Sequence, residues 1–228
     1  MSTNPKVSVI LTVPSAPQNL KRAIASVLKQ SMSHLELIVV GTANSGYGAE
    51  AAVAEFSESD SRVQYVRCES SDPAEASALG LSMASAAWVA FQRDGDEWLL
   101  GRLANQLACA ERQGDHCYLV VGRLLQYMPV ARTYMRYWHA ATDSGRLDQA
   151  MEISDFPVLL QAALIRRSAL VNTGAMFDPQ GSVPENFEWC RRVIAQGGAA
   201  VSNEGVAVTY VSSGIKKPNH YLELFRQA

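Results

Sequence analysis

Trp88-Val-Ala-Phe-Gln-Arg-Asp-Gly-Asp-Glu-Trp98 is the stretch that decides the fold. Its first four residues are apolar and read as a short buried strand. They run straight into a polar tip where Asp94 and Asp96 stand two apart, with Gly95 between them keeping the backbone free. Leu99 to Arg112 then carries a helix-like pattern. In an α/β domain, a strand ending in paired acids before a helix is the usual place to hold a cation and a phosphate. The plainer reading is a strand-to-helix turn in which Asp96 caps a helix over residues 97–112.

Working upstream, strand and helix patterns alternate. Val7-Ser-Val-Ile-Leu-Thr-Val13 is β-branched and apolar, and Pro14 to Pro17 break it. Leu20, Ile24, Val27 and Leu28 recur at helical spacing, with Lys21, Arg22 and Lys29 on the other face. Leu35 to Val40 is a second strand stopped at Gly41, Ala49 to Phe56 a helix, and Val63 to Arg67 a third strand. Ala74 to Ser85 is a small-residue helix opened by Asp72-Pro73 as cap and first-turn proline. Four such alternations predict βαβ units and a parallel sheet, with any ligand beyond the C-terminal strand ends where the strand order reverses.

Downstream the pattern is less regular. Tyr118 to Leu125 is strand-like, and Val158 to Ile165 reads as a strand leading into a short helix. Glu185 to Gln196 reads as a helix ended by Gly197-Gly198. Ala199-Val-Ser and Val206 to Tyr210 read as two closing strands, with a polar tail after them. Tyr134 to His139 is aromatic and basic: a platform for an acceptor sugar, or a packing loop or dimer contact. An assembly with itself or with another chain is therefore one expectation.

Bulk properties exclude several classes. A net charge of −2 and a pI near 6.1 give no basic footprint, so nucleic acid is not expected as a partner. Cys68, Cys109, Cys117 and Cys190 are scattered without a Cys-x-x-Cys pair, which argues for reduced thiols rather than zinc or disulfides. The polar first six residues lack the apolar core of a signal peptide. No run approaches the roughly 20 apolar residues of a membrane span. The expectation is a soluble, cytoplasmic protein with one domain over residues 1–212 and a tail over 213–228.

In three blocks the sequence resembles the family 2 glycosyltransferases, which have the GT-A fold. The first is Val7-Ser-Val-Ile, then Leu20 to Gln30 ending Ser-Val-Leu-Lys-Gln, then Leu35 to Val40. The second is Gly80-Leu…Ala84, Val89-Ala-Phe, and Asp96-Glu-Trp-Leu-Leu-Gly-Arg-Leu…Gln106-Leu. The third is Arg167…Gly174-Ala-Met-Phe-Asp178, then Glu185-Asn-Phe-Glu-Trp-Cys-Arg-Arg192…Gly197. Together they cover about Lys6 to Tyr210, in the family's order and spacing.

The resemblance implies an α/β, GT-A-like single domain with a mostly parallel central sheet. It implies inverting transfer of a sugar from a nucleotide-diphosphate donor to a hydroxyl on a glycan or small-molecule acceptor. A divalent cation, Mn or Mg, would clamp the diphosphate through an Asp-x-Asp pair, here Asp94 and Asp96 as a clamp shifted by one residue. Val13, Gly41, Arg93 and Trp98 would line the donor side, and Arg192 would orient the acceptor.

This chain departs from the pattern at functional positions. Gly41-Thr42 replaces the Asp pair after the second strand, Ser15 an Asn, and Ser77-Ala78 an Arg-Asn pair. Aligned on Asp96-Glu97-Trp98, Arg93 and Gly95 occupy the two clamp positions. Arg93 there is a candidate for binding phosphate directly, or for pairing with Asp94 or Glu97. Asn186 stands at the general base, and an amide cannot take a proton at neutral pH. Glu185 beside it is the remaining candidate base, or a carboxylate that only complements the helix N-terminus. Two functions follow: a glycosyltransferase with an unusual donor site, or a non-catalytic relative acting as a binding or partner subunit.

Overall fold

A computed structural model describes residues 4–17, 19–128, 133–137, 160–172 and 192–210. The sheet is organised on β1 (Val7–Val13), whose seven residues are all buried. It pairs in parallel with β2 (Leu35–Gly41) on one side, Val7 opposite Leu35. On its other side it pairs in parallel with β4 (Trp88–Arg93), Val7 opposite Trp88 and Thr12 opposite Arg93. β3 (Val63–Arg67) extends the parallel half beyond β2. Burial on both faces is why β1 and β2 read as continuous apolar runs rather than alternating ones.

Among the described residues the sheet has nine strands and its second half is mixed: after β4 come β8 (Ala163–Arg166), β6 (Cys117–Met128), β9 (Gly198–Tyr210) and β5 (Glu97–Trp98), with β7 (Thr133–Tyr137) on β6. β8 (Ala163–Arg166) runs antiparallel to both β4 and β6. β9 (Gly198–Tyr210) runs parallel to β6. It is one long strand where two short ones were expected, because its register shifts along β6 absorb the polar residues between the two apolar runs.

Helices cover the parallel half. α1 (Leu20–Leu28) buries Leu20, Ala23, Ile24 and Val27, the stripe its periodicity predicts. α2 (Gly46–Ser57) buries Ala49 and Val53. α3 (Pro73–Met83) starts as expected: Asp72 accepts from the Ala74 amide at 2.8 Å, and Pro73 fills the first turn. Gly80 lets α3 lie close on the sheet, since a Cβ there would stand 2.6 Å from Ile10 Cγ2 and 3.1 Å from Val40 Cγ2.

The start of the next helix differs from expectation. Glu97–Trp98 form the short strand β5, antiparallel to Val208 and Ala207 of β9. α4 (Arg102–Gln113) begins four residues later, after Gly101, so Asp96 is not its cap. The physical reason is non-local: backbone groups of residues 97 and 98 are taken by a strand 110 residues downstream. A short helix α5 (Arg167–Asn172) follows β8. The proposed tail, 213–228, lies outside the described residues.

Gly80→Ala is predicted to lower stability by about 1–2 kcal/mol, because overpacking against buried Ile10 outweighs the gain in helix propensity. Urea unfolding checks this, and an unchanged or raised midpoint would contradict it.

Candidate active site

The chain lays down β1, β2 and β3 outward in one direction, then returns to place β4 on the other side of β1. The strand order thus reverses between β1 and β4, and the space beyond the C-terminal ends of these two strands is the position where open α/β sheets take ligands in a crevice. Two loops bound it: the exposed Pro14–Ala16 segment after β1, and the Asp94–Asp96 tip after β4.

The tip is a tight turn. The Asp96 amide donates to the Arg93 carbonyl at 3.1 Å, and Gly95 has a φ of 93°. A positive φ at the third residue is what a type II turn demands, which accounts for glycine at a position where the family pattern has an acid.

Each acid of the tip is engaged. Asp94 Oδ1 accepts from the Asn19 amide, at the start of α1, at 3.0 Å, where a carboxylate complements the helix dipole. Asp96 is buried and accepts from Arg93 Nε at 3.3 Å. Glu97 accepts from Arg22 Nε. Arg93 itself keeps a side chain 56% exposed.

Behind the tip stands a buried polar layer that sequence reading did not single out as a unit. Arg102 is fully buried, stacks on the Trp98 ring at 3.8 Å and donates to the Ala163 carbonyl at 3.1 Å. Burial pushes its pKa down to about 9, opposed by the charge of Asp96, so it stays protonated at neutral pH. Gln92 donates to the Asp96 carbonyl at 3.0 Å. Gln106 donates to the Val120 and Ala162 carbonyls at 3.0 and 2.8 Å, fastening α4 to the sheet.

The cap that Asp96 does not give α4 comes from Gln30, two residues past the end of α1. Gln30 accepts from the Leu103 amide at 3.0 Å and donates to the Leu99 carbonyl at 2.9 Å. The signal was present as the last residue of Ser-Val-Leu-Lys-Gln, but its partner lies 73 residues away.

The other candidate residues fall as follows. Val13 is wholly buried, so only its backbone borders the crevice. Gly41 is buried, and a Cβ there would run into the Tyr65 hydroxyl and stand 2.6 Å from Ser45 Oγ. Thr42 donates to the Pro14 carbonyl at 2.9 Å, tying the two strand-end loops together. Trp98 is 4% exposed and lies beneath the tip rather than in the opening. Arg192 is exposed in a helical turn whose described residues are 192–196. Glu185, Asn186, and the Trp138–His139 end of the aromatic segment lie outside the described residues. Tyr134 to Tyr137 lie in β7, antiparallel to Leu124–Tyr127 of β6.

Comparison with known proteins agrees with this architecture. The model of the family described as Glycosyl transferase family 2 matches residues 8–174. An uncharacterized glycosyltransferase of Rickettsia bellii is 26% identical over 182 residues, covering 80% of this chain and 24% of that protein. Glycosyltransferase GlyA of Streptococcus pneumoniae is 29% identical over 174 residues, covering 75% of this chain and 24% of that protein. The chain thus spans about a quarter of the length of these relatives. Crystal structures of S. aureus TarS residues 1–349 share the fold at 14% identity. The UDP complex has a TM-score of 0.71, covering 91% of this chain and 61% of that one. The UDP-GlcNAc complex has a TM-score of 0.74, covering 92% and 59%.

Gln30→Ala is predicted to cost about 1–3 kcal/mol, since it uncaps α4 and leaves the Leu99 carbonyl without its donor. Denaturant unfolding measures it; a change below about 0.5 kcal/mol, the range of ordinary surface substitutions, would show that Gln30 does not hold the start of α4.

Proposed function

The chain belongs to glycosyl transferase family 2, and from this premise we propose that it transfers a sugar, with inversion, from a nucleoside-diphosphate donor to a hydroxyl acceptor. The observation that carries the reading is the crevice at the reversal between β1 and β4, with a half-exposed arginine at its rim. TarS is crystallised with UDP and with UDP-GlcNAc, so a uridine diphosphate sugar is the first donor to try.

In the proposed reaction the acceptor oxygen attacks the anomeric carbon as the carbon–oxygen bond to the diphosphate breaks on the opposite face. The acceptor proton passes to the Glu185 carboxylate, and the nucleoside diphosphate leaves with the bonding electrons. Val13 and Gly41 border the donor through their backbones, Trp98 supports the tip from below, and Arg192 faces the acceptor. We assign residues 1–212 to the transferase domain and 213–228 to a tail. We place the protein in the cytoplasm, a reading supported by Cys68, Cys109 and Cys117 standing as buried thiols outside any disulfide. Among the described residues no helix is long and apolar enough to cross a membrane.

A second reading, a non-catalytic relative acting as a binding or partner subunit, is favoured by one observation. All three acids at the tip already have partners within the chain.

Glu185→Gln is predicted to cut release of UDP from UDP-GlcNAc by roughly 100-fold or more while leaving donor affinity intact. Coupled assay and calorimetry read the two effects. Unchanged turnover removes Glu185 as the base, and failure to bind any of UDP, GDP or dTDP leaves the non-catalytic reading.

A further inference from the structure

The tip fits a divalent cation poorly. A cation clamp needs carboxylate oxygens with uncompensated charge converging on one point. Here Asp96 is bound by Arg93 and has the buried charge of Arg102 behind it. Asp94 serves the start of α1, and Glu97 faces Arg22. Three acids are thus set against Arg22, Arg93 and Arg102, and the tip is charge-balanced. Among the described residues no three His, Cys, Asp or Glu side chains gather as metal ligands would. Gly95, held at positive φ by the turn, leaves no side chain at the second clamp position.

The same geometry fits an anion. Arg93 ends β4 at the crevice, opposite Thr12 of β1. Among the described residues it donates only through Nε, to Asp96, and the side chain is half exposed. That contact fixes the plane of the guanidinium and leaves its two terminal amino groups for a ligand. A fixed guanidinium fork matches paired phosphate oxygens better than a flexible ammonium does.

Building on the donor reading above, we propose that Arg93, in place of a divalent cation, holds the diphosphate of the nucleotide donor. Asp96 is its positioning residue: it orients Arg93 without touching the ligand. The guanidinium also neutralises the charge that develops on the diphosphate as it leaves.

The test is calorimetric titration of the full chain with UDP, GDP and dTDP, in EDTA and again in Mn²⁺. The expected result is binding of at least one nucleotide in EDTA, with affinity changed by less than about threefold on adding Mn²⁺, under 1 kcal/mol. Arg93→Ala should weaken that binding at least about tenfold, as loss of a charge-assisted contact does. Its unfolding midpoint should fall only slightly, because the side chain is half exposed and the charge of Arg102 still stands behind Asp96. Arg93→Lys should recover part of the loss. Asp96→Asn should weaken nucleotide binding while leaving the affinity for the bare nucleoside unchanged, a split that general loosening of the fold would not give.

Binding that appears only with Mn²⁺ would overturn this inference and leave the proposed transferase intact. So would an Arg93→Ala variant that binds in EDTA as tightly as the parent. No binding under either condition would overturn the donor reading and this inference with it.

Discussion

The parallel pairing of β1 on both of its edges is the constraint from which the rest of the molecule follows. A strand hydrogen-bonded on both sides and covered on both faces can carry only apolar or internally satisfied side chains. β1 meets this with Val7, Val9, Ile10, Leu11 and Val13. Its one hydroxyl near the base, Ser8, donates to Glu36 and accepts from the Ala86 amide. Because β2 and β4 take opposite edges of β1, the connections leave on opposite sides and part at its C-terminal end. The place where a ligand crevice is expected is therefore a consequence of chain order.

What the crevice can do chemically is decided by how the tip after β4 is held. Below it, Gln92, Trp98 and Arg102 form a buried layer that contacts the tip from inside the sheet. From the side, the Asn19 amide before α1 and Arg22 within it meet Asp94 and Glu97, while Gln30, just past the end of α1, holds the start of α4. The contacts of Asn19, Arg22 and Arg93 use carboxylates that an open acidic site would leave for a cation. The family's scaffold is retained in the strands and in Gln30, Gly80, Arg102 and Gln106, each of which now has an identifiable packing or hydrogen-bonding role. At the tip after β4, an arginine and a turn glycine stand where the resemblance would place acids.

The parallel half of the fold was legible because its signals are local. β1, β2, β3 and β4 follow from apolar runs of strand length, α1 from its 3.6-residue stripe, and α3 from Asp72-Pro73. The start of α4 was not legible, since β5 forms only by pairing with β9 and the cap arrives from Gln30. Nor was the continuity of β9, which depends on shifts of register against β6.

The candidate site divides in the same way. Its place, at the ends of β1 and β4, and its residues, Arg93, Asp94 and Asp96, came from the sequence, because a strand end followed by a polar tip is a local pattern. The state of those residues came only from the tertiary structure. Whether a carboxylate is free to bind a cation depends on which charges stand within a few ångströms of it, and those belong to α1, α4 and the neighbouring strand. The sequence determined that acids sit at the crevice; the packing of distant segments decided that they are already answered.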